Sequence, residues 1–135
     1  MDFEKRRVLY VADQENTCEI MAALLARHGY EVVAAHSLVT ALLVSRGQPF
    51  NLYVLDAQFW GGAGARLCRS IREFDPLAPI IIFSSAAGTR ACGEALEAGA
   101  TCYVLKPNLD ELLQAVNHVT SEAAREPARG GGARL

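Results

Sequence analysis

The stretch N-L-Y-V-L-D-A-Q-F-W-G-G-A-G, residues 51–64, changes character at a single position. Residues 52–55 are an unbroken apolar run, Asp56 ends it, and a glycine-rich loop follows. A short apolar run bounded in this way reads as a buried strand. A carboxylate at the end of such a strand is costly to keep charged unless a cation lies beside it. The fold must therefore be one that brings other strand ends, and their polar residues, to the same edge.

Working outward from Asp56, the same punctuation recurs. Residues 8–11, 80–83 and 102–105 are further apolar runs and read as strands, as does 31–35. Between them lie helical patterns. The first opens on an Asn16/Glu19 capping pair, carries Ile20, Met21, Leu24 and Leu25, and stops at Gly29. The second is capped by Ser37 and runs to about Arg46, where Gly47 stops it. It is apolar nearly all round, so Val39 and Leu43 either face a partner or are scattered surface hydrophobes. Helices over residues 65–74 and about 90–98 follow. The last is capped by Asn108 and Glu111 and carries Leu109, Leu112, Leu113, Val116 and Val119 at helical spacing.

Five strands alternating with five helices predict an α/β fold, a doubly wound five-stranded parallel sheet with helices on both faces. Strands that are apolar throughout agree with burial on both sides. The common order for five strands is 2-1-3-4-5, with the site beyond the carboxyl ends where strands 1 and 3 adjoin. One domain is expected over residues 1–123. Residues 124–135 lack periodicity and read as a flexible tail or linker, and no output domain is expected within the chain.

In that order four polar residues gather. Asp13 follows strand 1, Asp56 ends strand 3, Ser84 ends strand 4 and Lys106 ends strand 5. The chain has eleven arginines but only two lysines, so a lysine at a strand end stands out. Two carboxylates suit a hard cation such as Mg²⁺, which takes one or two of them together with waters and phosphate oxygens. The lysine is a compact charge for a phosphoryl oxygen, the serine adds one hydrogen bond, and an aspartate so placed is a candidate nucleophile for phosphoryl transfer. Plainer roles stay open: a structural Lys106–Asp56 ion pair, Ser84 as a turn cap and Tyr103 as core packing.

Composition excludes other classes. The 135 residues carry a net charge of −2 and a pI of about 5.9, and the basic residues form no stripe, so no nucleic-acid partner is expected for this domain. No apolar run approaches the length of a membrane span and the polar start is no signal peptide, so no membrane contact and a cytoplasmic location are expected. Cys18, Cys68, Cys92 and Cys102 have no metal spacing and read as reduced packing residues. His28, His36 and His118 fall on separate elements and read as non-catalytic. The run 61–64 is no P-loop, because no Gly-Lys-Ser/Thr follows.

The pieces V-L-Y-V-A-D-Q-E-N, Y-V-L-D-A-Q, I-I-I-F-S-S-A, E-A-G-A and Y-V-L-K-P span roughly residues 6–120. Together they resemble the receiver domain of two-component response regulators. The resemblance implies a flavodoxin-like, receiver-like fold and a signalling switch with self-modification chemistry only, rather than an enzyme with a separate substrate. It implies that Asp56 takes a phosphoryl group from a sensor histidine kinase or phosphotransfer protein. Asp13, Asp56 and the backbone carbonyl of Gln58 would hold Mg²⁺. Lys106 stands for the family's lysine, Ser84 for its switch hydroxyl and Tyr103 for its rotating aromatic. The output would be contact with a downstream protein or a homodimer, and the Lys106–Pro107 bond is often cis in such domains.

Two departures accompany the resemblance. The family usually has two adjacent acids after strand 1, and here the first is Ala12, so weakened Mg²⁺ binding is expected. Glu15 either substitutes through water or simply sits in the first helical turn. Trp60 replaces a proline usual in the loop and is either a partner contact or a lid over the pocket. These departures motivate a second reading, a degenerate receiver used as a phosphorylation-independent interaction module.

Overall fold

A computed structural model describes residues 6–48, 50–56, 62–86 and 88–125. The predicted alternation runs through them: β1 (Arg6–Val11), α1 (Glu15–Ala26), β2 (Tyr30–Ala35), α2 (Leu38–Gly47), β3 (Leu52–Asp56), α3 (Gly62–Phe74), β4 (Ile80–Ser84), α4 (Thr89–Glu97), β5 (Cys102–Leu105) and α5 (Leu109–Arg125). The five strands form one parallel sheet in the order β2-β1-β3-β4-β5.

The two-residue period of each strand divides the core between the faces of the sheet. Leu9, Val11, Tyr53, Leu55, Ile80 and Ile82 pack on one face against Ala41 of α2, Leu67 and Ile71 of α3 and Ala95 of α4. Val8, Tyr10, Ala12, Val54, Ile81 and Phe83 pack on the other against Cys18, Met21 and Leu25 of α1 and Leu112 and Val116 of α5. Both faces are covered, which is why β3 and β4 are buried along their whole length.

Element ends differ from the sequence reading where a side-chain cap was expected to decide them. Asn16 does not cap α1. Gln14 takes the extended cap conformation, its carbonyl accepts the Cys18 N–H at 3.2 Å, and the helix begins at Glu15. The start is set by seating Cys18, Met21 and Leu25 in the core, since packing of the buried face outweighs one cap hydrogen bond. The Ser37 cap does form, accepting the Thr40 N–H at 3.1 Å. Asn108 gives its carbonyl to the Leu112 N–H and meets Glu111 only side chain to side chain, at 3.4 Å. Helix α3 begins three residues before the expected Ala65, and α5 runs to Arg125, past the expected end of the domain at 123.

At the amino edge of the sheet Arg72 fastens the end of α3 to the turn before β5. Its guanidinium donates to the carbonyls of Gly99, Asp75 and Ala78. Gly99 has φ of +112°, and a Cβ there would lie 2.9 Å from Cγ of Arg72, so glycine is required on both counts. Val39 and Leu43 of α2 are exposed to 66% and 70%. Among the described residues no helix is long and apolar enough to cross a membrane.

Candidate functional site

The strand register brings the predicted residues level. Val11 pairs with Leu55, Asp56 with Phe83 and Ser84 with Leu105, so Asp56 and Ser84 share the carboxyl edge, with Asp13 and Lys106 just beyond it. Asp56 is only 4% exposed. Its Oδ1 is in an ion pair with Nζ of Lys106, which also lies 5.6 Å from the centroid of the Phe83 ring. The backbone holds that lysine in place, since its N–H donates to the Ser84 carbonyl at 2.8 Å. The Lys106–Pro107 peptide is cis. A pair this buried is held chiefly because removing either partner strands the other charge.

The other carboxylate oxygen has a partner the sequence reading missed. The Tyr10 hydroxyl donates to Oδ2 of Asp56 at 3.0 Å. Burial pushes the phenol well above its ordinary range and the Asp56 charge pushes it further, so Tyr10 is a neutral donor. Tyr10 of β1 and Ala12, the residue just past its end, lie two apart and in the same core cluster. A strand advances about 6.7 Å over two residues, a span that a tyrosine leaning along the strand covers. No linear pattern marks this contact, which spans 46 residues and depends on the pairing of β1 with β3.

Ser84 and Tyr103 do not touch Asp56 here. The Ser84 hydroxyl accepts the Ala86 N–H at 3.1 Å, the turn role the sequence left open. The Tyr103 hydroxyl donates to the Ala86 carbonyl. Both side chains are thus tied to the backbone of one residue. A cavity of about 250 Å³ opens beside them, between α3, β4, α4 and β5, lined by Ala65, Ile82, Ala91 and Ala95 as well as Ser84 and Tyr103.

Asp13 is exposed and Glu15 is the exposed first residue of α1. Ala12 is buried, and its carbonyl lies within hydrogen-bond reach of the Cys18 thiol and the His36 ring. Gln58 and Trp60, and the expectations attached to them, lie outside the described residues.

Comparison with known proteins assigns the chain to a family. Residues 8–117 match the response regulator receiver domain. The chain belongs to that family. The transcriptional regulatory protein ZraR of Escherichia coli is 33% identical over 126 residues, which cover 90% of this chain and 29% of ZraR. A LuxR-family response regulator from Aurantimonas superposes with a TM-score of 0.80 at 32% identity, covering 88% of this receiver and 87% of that chain. TrrA of Thermotoga maritima, solved in complex with Mg²⁺-BeF, gives 0.75 at 30% identity, covering 84% and 98%. The receiver spans under a third of the length of the ZraR proteins it matches.

Among the described residues no group of three or more His, Cys, Asp or Glu is placed to hold a metal. Mg²⁺ does not need three, because it fills its octahedron with water and phosphate oxygens. Asp13 and Asp56 supply hard carboxylate oxygens of the right chemistry, so the receiver fits the ion with a sparse set. One oxygen of Asp56 is already engaged by Tyr10.

Proposed function

We propose that this receiver is a phosphoacceptor switch that takes a phosphoryl group onto Asp56 from the phosphohistidine of a sensor kinase or phosphotransfer protein. The observation that carries the reading is the Lys106–Asp56 ion pair, which sets an ammonium against a carboxylate at the sheet edge where three other strand ends meet. A carboxylate oxygen of Asp56 attacks phosphorus, the P–N bond to the donor histidine breaks, and the imidazole keeps the electron pair. Lys106 moves its contact from the carboxylate to a phosphoryl oxygen, where a point charge follows the transferred negative charge. Asp13 and Asp56 would hold Mg²⁺, which supplies neutralisation of the developing charge. The chemistry ends with the receiver's own modification, and no separate substrate is turned over.

The same reading gives Ser84 and Tyr103 a shared trigger. Drawing the Ser84 hydroxyl onto the phosphoryl group removes it from the Ala86 N–H, and Ala86 also carries the acceptor of Tyr103. Moving that one residue releases Tyr103 towards the adjoining cavity and reshapes the surface of α4, β5 and α5. A downstream protein or a second receiver would read that surface, which exposes Leu96 and Leu109. Incubation with an acyl phosphate and Mg²⁺ followed by intact-mass measurement tests the reading. One phosphoryl adduct is expected on the wild type and none on Asp56→Asn.

Ala12 and the Tyr10 hydrogen bond favour a second reading, a receiver that binds its partner whether or not Asp56 is modified. It expects Asp56→Asn to leave partner binding unchanged, whereas the switch expects the variant to lose the gain in binding that the phosphoryl donor produces.

A further inference from the structure

Tyr10 takes no part in the switch described above, yet among the described residues it joins Lys106 in holding the acceptor carboxylate. Its ring is fully buried among Cys18, Val54 and Leu112. A buried phenol whose hydroxyl found no partner would be costly, so its hydrogen bond to Oδ2 of Asp56 fixes both groups. The Lys106 contact is on Oδ1, so the two donors divide the carboxylate between them. Tyr10 rises from β1, the strand that Asp13 follows and that pairs directly with β3, so the phenol and both candidate carboxylates belong to two neighbouring strands.

We propose that the Tyr10 hydroxyl is a built-in competitor of the divalent cation, a positioning residue that holds Oδ2 of Asp56 in the metal-free receiver and yields it when the cation binds. The inference rests on the phosphoacceptor reading of Asp56. Ala12 completes it: a methyl group at that position adds no donor of its own and stands in the same core cluster, two residues from the phenol. An acid there would contribute charge to the cation; the phenol contributes a hydrogen bond that must be given up. Loading of the site is thereby linked to release of Tyr10, and the receiver needs more cation than its carboxylates alone would require. Binding that must first break an existing contact is weakened by the free energy of that contact.

Calorimetric Mg²⁺ titration of the wild type, Tyr10→Phe and Tyr10→Phe/Ala12→Asp tests this. Phenylalanine keeps the ring and removes only the hydroxyl. Tyr10→Phe should bind Mg²⁺ about tenfold more tightly, the worth of a hydrogen bond to a charged group, and its metal-free form should melt at a lower temperature. The double variant should bind more tightly still. In wild type labelled with ¹³C-tyrosine, the Tyr10 Cζ resonance should shift as Mg²⁺ saturates the site, a readout that needs no variant to fold. Equal or weaker binding by Tyr10→Phe, or a Cζ resonance that ignores saturating Mg²⁺, overturns the competitor role and leaves the phosphoacceptor reading standing. Absence of Mg²⁺ binding in all three proteins overturns both.

Discussion

On the β4–β5 side of Asp56 stand an ammonium and a hydroxyl; on the β1 side stand a phenol and a methyl group. The first side is built from charge and from backbone ties. Lys106 is held by its own N–H on Ser84, and Ser84 and Tyr103 share Ala86. The second side is built from packing: Tyr10 and Ala12 belong to the core beneath α1 and α5. An ammonium can follow negative charge from a carboxylate to a phosphoryl group. A neutral donor fixed in the core serves only the carboxylate where it stands. Under the proposed function the first half would receive the phosphoryl anion and the second the cation, and on the second a methyl group and a hydrogen-bonded phenol stand beside the carboxylate of Asp13.

Breaking the charged half should have the largest effect. Lys106→Met leaves Asp56 buried with a hydrogen bond and no counter-charge, which should cost about 3 kcal/mol in urea unfolding at neutral pH, together with loss of phosphoryl uptake. Rebuilding the packed half should come next. Ala12→Asp sets a second acid into the core beneath Asp56 and should destabilise the metal-free receiver by about 2 kcal/mol, a loss that saturating Mg²⁺ reverses in a thermal melt. If Mg²⁺ restores nothing, the β1 side is not the cation's side. Tyr10→Phe, which removes one hydrogen bond to a charged group, should cost about 1.5 kcal/mol in the metal-free state. Ser84→Ala loses only the turn contact to Ala86, about 1 kcal/mol, and should uncouple Tyr103 fluorescence from phosphorylation without preventing the adduct.

The smallest effect concerns pH. Burial pushes the Cys18 thiol up to about 11 from an ordinary value of 9.0. The folded state therefore holds this proton more tightly than the unfolded chain. That contribution to stability is complete below about pH 9 and is lost as pH rises towards 11. Cys18→Ala should flatten the fall in melting temperature over that window.

The fold was legible because its signal is redundant. Strands such as 52–55 and 80–83 are apolar throughout and alternate with helices, a combination that fits a doubly covered parallel sheet, and the strand order then places Asp56, Ser84 and Lys106 at one edge. Helix starts were less legible, since Asn16 has the right chemistry for a cap but the seat of Cys18 and Met21 places the helix two residues earlier. Tyr10 was illegible for a different reason. Its identity fits a buried strand residue, and nothing in a linear pattern says that its hydroxyl reaches an acid 46 residues away. Pattern reading assigns a tyrosine to core or surface; only the register between β1 and β3 shows that this one does both duties, with its ring in the core and its hydroxyl in the site.

If Asp56 accepts the phosphoryl group, tandem mass spectrometry of the wild-type receiver treated with an acyl phosphate, across a series of Mg²⁺ concentrations, should find one acid-labile adduct. That adduct should lie on the peptide containing Asp56 and appear only as Mg²⁺ is raised. No adduct at saturating donor and Mg²⁺, or one that persists in Asp56→Asn, would contradict this role for Asp56.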